Sequence, residues 1–194
     1  DTTADALAEI DDEKREKILK NLSAKEIAEE LTELDTDDAV DIISELPEER
    51  KERVISQIED DKHIEDIREL LTYDENTAGG LMAKELVKVN ENLSVLKCLN
   101  EMRSQAENVT RVHSIYVVDG KNKLKGRLSL KDLITANSKA KVKDIFIPHV
   151  DYVYVNEENE EVARKMSKYD LEAIPVINSK KELLGRITID DIVD

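Results

Sequence analysis

This sequence is poor in the residues that build disulfides, thiolate metal sites and aromatic cores. It has one cysteine, Cys98, in 194 residues, so it can form neither an intrachain disulfide nor a thiolate metal cluster. Aromatic residues make up 3% of the chain, tryptophan is missing, and there are only five glycines and three prolines. Apolar runs stay well short of the roughly 18 residues that span a membrane, and the N-terminus has no signal-peptide pattern. We therefore expect a soluble protein of the reducing cytosol.

Catalytic motifs are missing as well. The sequence contains no Gly-x-Ser-x-Gly elbow, no glycine-rich phosphate loop and no Cys/His pair at a useful spacing. The three histidines, His63, His113 and His149, are scattered along the chain. Carboxylates are abundant, but without an aromatic cleft to raise a pKa they are poor acid–base catalysts. The sequence predicts that this protein is not an enzyme.

Charged residues, in contrast, make up 38% of the chain and are unevenly distributed. Residues 1–76 carry 27 acidic and 10 basic residues, a net charge of −17. Residues 77–150 carry 7 and 13, for a net of +6, and residues 151–194 carry 11 and 6, for a net of −5. The acidic balance disfavours nucleic acid and anionic lipid as partners, because both need clustered Lys and Arg. It favours cations, although many of these charges belong to solvated helix faces.

The first half of the chain has a 12-residue apolar period, at Ile10, Leu22, Leu34, Leu46, Ile58 and Leu70. Residues typical of helix N-caps (Asp11, Ser23 and Asp35) follow three of these positions, and Pro47, which suits a first helical turn, follows a fourth. Helices of two or three turns are marginal alone, so the pattern predicts a small superhelix of stacked hairpins. The period ends at residues 73–80, where the Gly79-Gly80 pair predicts a turn or hinge between two domains.

The second half contains one sequence pattern twice, at an offset of 59 residues. Ile115-Tyr-Val-Val-Asp119 is matched by Ile174-Pro-Val-Ile-Asn178, and Leu124-Lys-Gly-Arg-Leu-Ser-Leu-Lys-Asp132 by Leu183-Leu-Gly-Arg-Ile-Thr-Ile-Asp-Asp191. Strands are predicted at 87–89, 115–118 and 125–128 in the first copy and at 153–155, 174–177 and 184–187 in the second. Helices are predicted at 93–102, 131–136 and 160–168 and from residue 190. The sequence thus predicts a pseudo-symmetric α/β pair whose shared cleft can hold a ligand.

These motifs resemble a known family. The ending apolar-apolar-Gly-x-apolar-Thr/Ser-x-x-Asp is similar to that of CBS domains, and residues 80–194 resemble a tandem CBS pair. The acidic repeat around Leu34-Asp-Thr-Asp37-Asp-Ala-Val-Asp41, followed by Ala78-Gly-Gly-Leu-Met82, resembles the cytosolic half of the MgtE magnesium transporters. The resemblance implies an α and α/β fold with three domains. These are an acidic helical N domain (1–76), a first CBS domain (77–140) and a second CBS domain (141–194).

The resemblance also implies a function. The MgtE cytosolic region senses Mg²⁺, on the cytoplasmic side of the plasma membrane, with ions held between its helical and CBS domains. A membrane-spanning part outside this sequence forms the transport pathway. The residues that match the family's acidic sites are Asp37, Asp41, Glu158, Glu160, Asp170, Asp191 and Asp194, with Glu158 at a position where Asp is more usual. Oxygen-only ligands would also accept Ca²⁺ or Mn²⁺.

Two other functions remain open at this stage. CBS domains also bind adenine nucleotides, and Ser129, Asp132 and Thr188 match the positions that would hold ATP or AMP. Against this reading, Ser114 stands where an adenine-stacking aromatic residue would help, and no arginine cluster is evident nearby. A third possibility is an acidic helical scaffold for a protein partner. The resemblance further implies a homodimer formed through residues 80–194.

Overall fold

The computed structural model describes residues 3–109 and 111–193. The chain folds into two compact units that divide between Tyr73 and Asp74. We call residues 1–73 the helical unit and residues 74–194 the α/β unit. No helix in the described part of the chain is long and apolar enough to cross a membrane.

The helical unit consists of six short helices. They are α1 (Thr3–Glu9), α2 (Asp12–Lys20), α3 (Ala24–Thr32), α4 (Thr36–Glu45), α5 (Glu48–Ser56) and α6 (Asp61–Leu70). One helix and its turn account for each 12-residue period. Asp11, Ser23 and Asp35 are N-cap residues as predicted, and Ser23 forms a capping box with Glu26. Pro47 is also an N-cap residue. The sequence had predicted it one position later, in the first turn of the helix.

The core of the helical unit is aliphatic. Fully buried side chains such as Ile27, Leu31, Ile43 and Ile67 come from α3, α4 and α6. The main helix contacts join alternate helices, α1 to α3, α3 to α5 and α4 to α6, with α4 also touching α5. The unit is therefore a superhelix, as predicted, but alternate helices rather than consecutive hairpins supply most of its packing.

A buried arginine ties the first helices of this unit together. Arg15 is 8% exposed, and its guanidinium donates to the backbone carbonyls of Leu7, Ala8 and Ile10, each at 2.9 Å. It also pairs with the carboxylate of Glu45 at the end of α4. These carbonyls belong to the end of α1, where a helix leaves acceptors unsatisfied, so the arginine supplies the donors that the turn lacks.

The α/β unit contains two three-stranded sheets. The first copy comprises β1 (Val87–Asn90), α8 (Val95–Ala106), β2 (Ile115–Val118), β3 (Leu124–Leu128) and α9 (Leu130–Thr135), and the second comprises β4 (Val153–Tyr154), α11 (Asn159–Lys168), β5 (Ala173–Ile177), β6 (Leu183–Thr188) and α12 (Asp190–Val193). In each copy the first two strands are parallel and the last two antiparallel. The short helices α7 (Ala78–Leu81) and α10 (Val142–Ile145) precede the copies. This confirms the predicted α and α/β fold.

The 59-residue offset holds in backbone detail. Both sheets have a register shift in the middle strand, at Val117/Val118 and at Val176/Ile177. The last hairpin of each copy also contains a non-glycine residue with positive φ, Asn122 at 61° and Lys181 at 64°. The two copies therefore share their irregularities as well as their strands.

Each sheet is extended by the segment that leads into the other copy. Ile147, which precedes the second copy, exchanges two backbone hydrogen bonds with Arg127 of β3, at 2.8 and 3.0 Å. Ala83, which precedes the first copy, pairs in the same way with Arg186 of β6, at 2.9 and 3.0 Å. The side chain of Val142 in α10 is buried in the core of the first copy. The two lead segments are thus exchanged between the copies.

Glycines permit these two close crossings. A Cβ added at Gly126 would collide with the carbonyl oxygen of Ile147, and one at Gly185 would lie 2.5 Å from that of Ala83. Gly120, in the first hairpin turn, has nothing within 4 Å of such a Cβ.

The predicted hinge at Ala78-Gly79-Gly80 is wrong. These residues belong to α7, whose first amides donate to the second copy: Ala78 N to Glu157 O and Gly79 N to Val155 O, both at 2.8 Å. A Cβ at Gly80 would strike the backbone of Asp74 and Glu75. Gly80 serves close packing inside the α/β unit. The two units divide after Tyr73, at the start of the segment 73–80 in which the helical period was predicted to end.

Candidate functional site

The predicted ligands of the helical unit lie on α4. Asp37 is partly buried in the first turn of that helix, and Asp41 is exposed one turn later. Residues four apart lie on the same face of a helix, so the two carboxylates are neighbours. The position of Asp37 in the first turn of α4 also suits an acidic side chain through the helix dipole.

Two predicted ligands of the α/β unit lie at the start of α11. Glu158 is the N-cap residue, its side chain makes no capping hydrogen bond, and it is exposed together with Glu160 in the first turn. The backbone of Glu158 forms a bridge with Thr77, just ahead of α7. This pairing brings the segment that contains Gly79 beside the acidic end of α11.

The remaining predicted ligands follow helix or strand ends. Asp170 is exposed just after α11 and has a left-handed backbone, with φ of 51°. Asp191 is partly buried, and its Oδ2 accepts from the backbone amide of Thr188 at 2.8 Å and from its hydroxyl at 2.9 Å. These two bonds fix the orientation of the Asp191 carboxylate. Asp194 lies outside the described residues.

The donor set suits a hard cation, because every predicted ligand is a carboxylate. Within the two described ranges, no three His, Cys, Asp or Glu side chains converge on one point as a metal cluster. Mg²⁺ keeps several of its waters and binds through as few as one or two carboxylates. A pair such as Asp37 and Asp41 therefore has enough carboxylates to contribute to a Mg²⁺ site. The seven metal positions stay predictions.

The two candidate nucleotide positions differ between the copies. In the first copy the hydroxyl of Ser129 caps α9 and accepts from the amide of Asp132 at 3.4 Å. In the second copy the hydroxyl of Thr188 donates to the carboxylate of Asp191 instead. Asp132 is exposed, and no hydrogen bond to its carboxylate occurs among the described residues. The exposed Asp132 is therefore the more accessible of the two aspartates for a ligand hydroxyl.

Two arginines lie close to His113, the residue beside Ser114. The pKa of the neighbouring His113 is lowered by burial and by the positive charges of Arg186 and Arg111. Arg186 is 7% exposed, and Arg111 lies 3.6 Å from the carboxylate of Glu172. Arg186 also has a counterpart in the 59-residue repeat, because Arg127 stands at the equivalent position of the first copy.

Cys98 has no role in such a site. Its side chain is fully buried in the core of the first copy, and burial raises the pKa of its thiol to about 11. A protonated, buried thiol is a poor nucleophile and metal ligand.

Comparison with known proteins identifies the family. The family model of the MgtE intracellular N domain matches residues 1–76, and the CBS-domain model matches residues 78–139 and 142–194. A crystal structure of the soluble part of a magnesium transporter is 33% identical and superposes with a TM-score of 0.90, over 98% of this chain and 75% of that one. The chain belongs to the MgtE family.

Two further MgtE proteins are similar to this chain. The cytosolic domain of the Mg²⁺ channel MgtE, crystallised in complex with ATP, is 36% identical with a TM-score of 0.90, over 98% of this chain and 78% of that one. The MgtE magnesium transporter of Thermus thermophilus is 43% identical over 122 residues, which are 63% of this chain and 27% of the transporter. The aligned region thus spans about a quarter of the length of that relative.

Proposed function

We propose that this chain is the Mg²⁺-sensing regulatory region of an MgtE-type magnesium transporter, located on the cytoplasmic side of the membrane. The observation that carries the proposal is the similarity, over 98% of the chain, to the cytosolic domain of a Mg²⁺ channel. The role is regulatory rather than catalytic. The ions would be held jointly by carboxylates of the helical unit and of the α/β unit, and their binding would gate the transport pathway.

Charge repulsion supplies the driving force for such a sensor. Two carboxylates about 6 Å apart repel by roughly 0.7 kcal/mol in water and by about 3 kcal/mol at an effective dielectric of 20. Several such pairs outweigh a small polar contact between domains, which is weak by itself. A bound Mg²⁺ reverses the sign of this interaction. The two units would therefore associate at high Mg²⁺ and separate at low Mg²⁺.

Small-angle scattering with and without millimolar Mg²⁺, matched in ionic strength with NaCl, tests this mechanism. We expect the radius of gyration of the native chain to fall with Mg²⁺, and that of the Asp41→Asn, Asp191→Asn double variant to stay large. The matched control is Asp61→Asn with Asp151→Asn, which removes one exposed carboxylate from each unit outside the predicted sites. Equal compaction by NaCl would show that charge screening is sufficient and that the specific sites are wrong.

The Asp191→Asn change needs one further control, because Asp191 also holds Thr188. The variant Thr188→Val removes the hydroxyl bond to Asp191 but keeps the carboxylate and the backbone bond. If the response to Mg²⁺ is lost in Thr188→Val as well, local structure rather than ion binding explains the loss. Calorimetry should also show that Ca²⁺ and Mn²⁺ compete for the sites and that Zn²⁺ is not preferred.

We also propose that the chain is a homodimer through its α/β unit. Ile134 on α9 is 67% exposed, and its 59-residue counterpart Val193 on α12 is 75% exposed. Leu130, one turn before Ile134, is 56% exposed. Matched apolar residues on the two copies suit an isologous interface. Sedimentation should give a dimer for the native chain and a monomer for Ile134→Glu, while Leu96→Glu, on exposed Leu96 of α8, remains dimeric. A monomeric native chain at micromolar concentration would refute this.

Adenine-nucleotide binding is the second candidate, and one observation favours it. A relative with 36% identity was crystallised with ATP. The resemblance to CBS domains implies that Ser129, Asp132 and Thr188 would hold such a nucleotide. Calorimetry with ATP and with AMP in metal-free buffer separates this function from Mg²⁺ sensing. We expect Asp132→Asn to weaken any nucleotide binding and to leave the Mg²⁺ response intact. A chain that responds to neither ligand would leave the acidic scaffold as its function.

A further inference from the structure

The two hairpins of the α/β unit pair with each other at their tips. The amide of Leu124 donates to Lys181 O at 2.9 Å, and the amide of Leu183 donates to Asn122 O at 3.0 Å. Lys123 and Glu182 form the antiparallel bridge between these bonds. The side-chain amide of Asn122 adds a bond to Leu183 O at 2.9 Å. The β2–β3 and β5–β6 turns therefore form one continuous edge.

Lysines gather along this edge from three separate parts of the sequence. They are Lys88 from β1, Lys121, Lys123 and Lys125 from the first hairpin, and Lys180 and Lys181 from the second. All six are exposed. Lys88 reaches the tip directly, because its Nζ donates to Asn122 Oδ1 at 2.8 Å. We call these six residues the hairpin-tip patch.

The patch is little neutralised by the protein itself. Lys121, Lys123, Lys125, Lys180 and Lys181 form no ion pair within residues 3–109 and 111–193. The acidic residues in the two turns are Asp119 and Glu182, and Glu91 lies beside Val118 at the end of β1, so the six lysines face three carboxylates. Backbone donors hold the Asp119 carboxylate: Lys121 N at 2.8 Å and Lys123 N at 3.0 Å. That carboxylate shapes the turn while the lysine side chains stay exposed.

One of these lysines has an unfavourable backbone. Lys181 has φ of 64°, a left-handed conformation that Asn and Gly adopt more readily than Lys. Its counterpart in the first hairpin is Asn122, and asparagine adopts this conformation readily. The two hairpins share this turn geometry, and the exposed side chain of Lys181 extends the patch.

We infer that the hairpin-tip patch is a docking surface for an anionic phospholipid membrane. Groups of four to eight basic residues bind the negative face of a membrane, where each lysine adds attraction over about one Debye length. The acidic net charge of the chain argued against such a partner because binding needs clustered basic residues, and the sequence alone groups no more than three of these lysines, Lys121, Lys123 and Lys125. The structure supplies that cluster from residues up to 93 positions apart in the sequence.

Two features favour lipid over nucleic acid. The patch is made entirely of lysines, whose point charges suit diffuse headgroups, whereas nucleic-acid recognition draws on the bidentate geometry of arginine. No aromatic side chain that could stack on a base belongs to the patch. The inference rests on the proposed function for one point only, that a regulatory region of a transporter works beside a membrane.

Vesicle co-sedimentation in metal-free buffer at low ionic strength tests this inference. We expect the native chain to bind vesicles of phosphatidylcholine with phosphatidylglycerol and not vesicles of phosphatidylcholine alone. The variant Lys121→Gln, Lys123→Gln, Lys181→Asn should bind about a hundredfold more weakly, because each lysine near an anionic surface contributes roughly a fivefold factor. Lys181→Asn uses the residue found at Asn122, so the fold is retained.

The matched control is Lys97→Gln, Lys139→Gln, Lys143→Gln. It removes the same charge from exposed lysines of the same unit outside the patch, and it should bind vesicles like the native chain. Equal loss in both triple variants would overturn the inference, since net charge would then explain binding. So would a native chain that ignores anionic vesicles, or whose patch binds duplex DNA or a second copy of the chain instead. Because Mg²⁺ is absent, failure here leaves the Mg²⁺ response of the proposed function to be judged separately.

Discussion

The variant Arg15→Met is expected to lower the free energy of unfolding of the helical unit by about 3–5 kcal/mol. It removes three bonds to the carbonyls of Leu7, Ala8 and Ile10 and leaves the Glu45 carboxylate without its guanidinium partner. Buried acceptors without donors bear a desolvation penalty that methionine cannot relieve. Urea unfolding, with hydrogen exchange of the α1 and α2 amides as a local probe, measures the loss.

Acid should reduce this loss. Burial raises the pKa of Glu45, and the positive charge of Arg15 opposes the rise. A carboxyl with a raised pKa destabilises the folded state more as pH rises through that pKa, so Arg15→Met should be most harmful at neutral pH. The deficit should shrink near the ordinary pKa of 4.5 and below, where Glu45 is protonated.

The control for this prediction is Arg164→Met. The Arg164 guanidinium is exposed, and its one ion-pair partner in the described part of the chain is Glu161, one turn away on α11. Exposed pairs of this kind contribute less than about 1 kcal/mol, so its unfolding free energy should hardly change. A similarly small effect for Arg15→Met would mean that the arginine does not hold α1 and α2 in place.

The variant Gly126→Ala is expected to destabilise the α/β unit by about 3 kcal/mol or more. The added Cβ would collide with the carbonyl oxygen of Ile147. That oxygen cannot move away easily, because the backbone of Ile147 both donates to and accepts from the backbone of Arg127. Overpacking against a flexible side chain costs roughly 1–3 kcal/mol, and rigid backbone leaves less room for relaxation. Thermal unfolding and the hydrogen exchange of β3 report the change.

Gly120→Ala is the matched control in the same hairpin. Nothing lies within 4 Å of its Cβ position, and its φ is not positive, so alanine fits without strain. The substitution should be neutral or should stabilise by about 0.4–1 kcal/mol through the unfolded chain. If Gly126→Ala behaves like Gly120→Ala, the crossing of the lead segment is looser than the structure describes.

Local patterns in the sequence predicted most of the fold. The 12-residue period gave α1 to α6 because each period contains its own cap and its own apolar residues, and the 59-residue offset gave both sheets. Strand β2 lies at Ile115–Val118, as predicted from its continuous apolar run. The helices α7 and α10 were not predicted, since each has only four residues and is stabilised by contacts with the opposite copy.

The predicted sites show the same limit. The sequence correctly put Asp37 and Asp41 on one face of a helix, because that depends on a spacing of four residues. The bonds between Thr188 and Asp191 are local, because they join residues three apart. The sequence did not show that Arg186 is buried near His113, since that depends on strand register. The lysines of the hairpin-tip patch were missed for a similar reason, because their proximity is created by the pairing of two distant turns.

The exchange of lead segments makes the two CBS copies a single folding unit. A chain cut between residues 140 and 141 would leave β3 without Ile147 and the first core without Val142, and it would leave β6 without Ala83. Neither half could close its own sheet edge, so unpaired strands and apolar side chains would be available for aggregation. Long-range contacts of this kind must form together, which predicts slow, concerted folding of the α/β unit with no stable half-folded state. A ligand that holds one copy in place therefore stabilises the other copy as well.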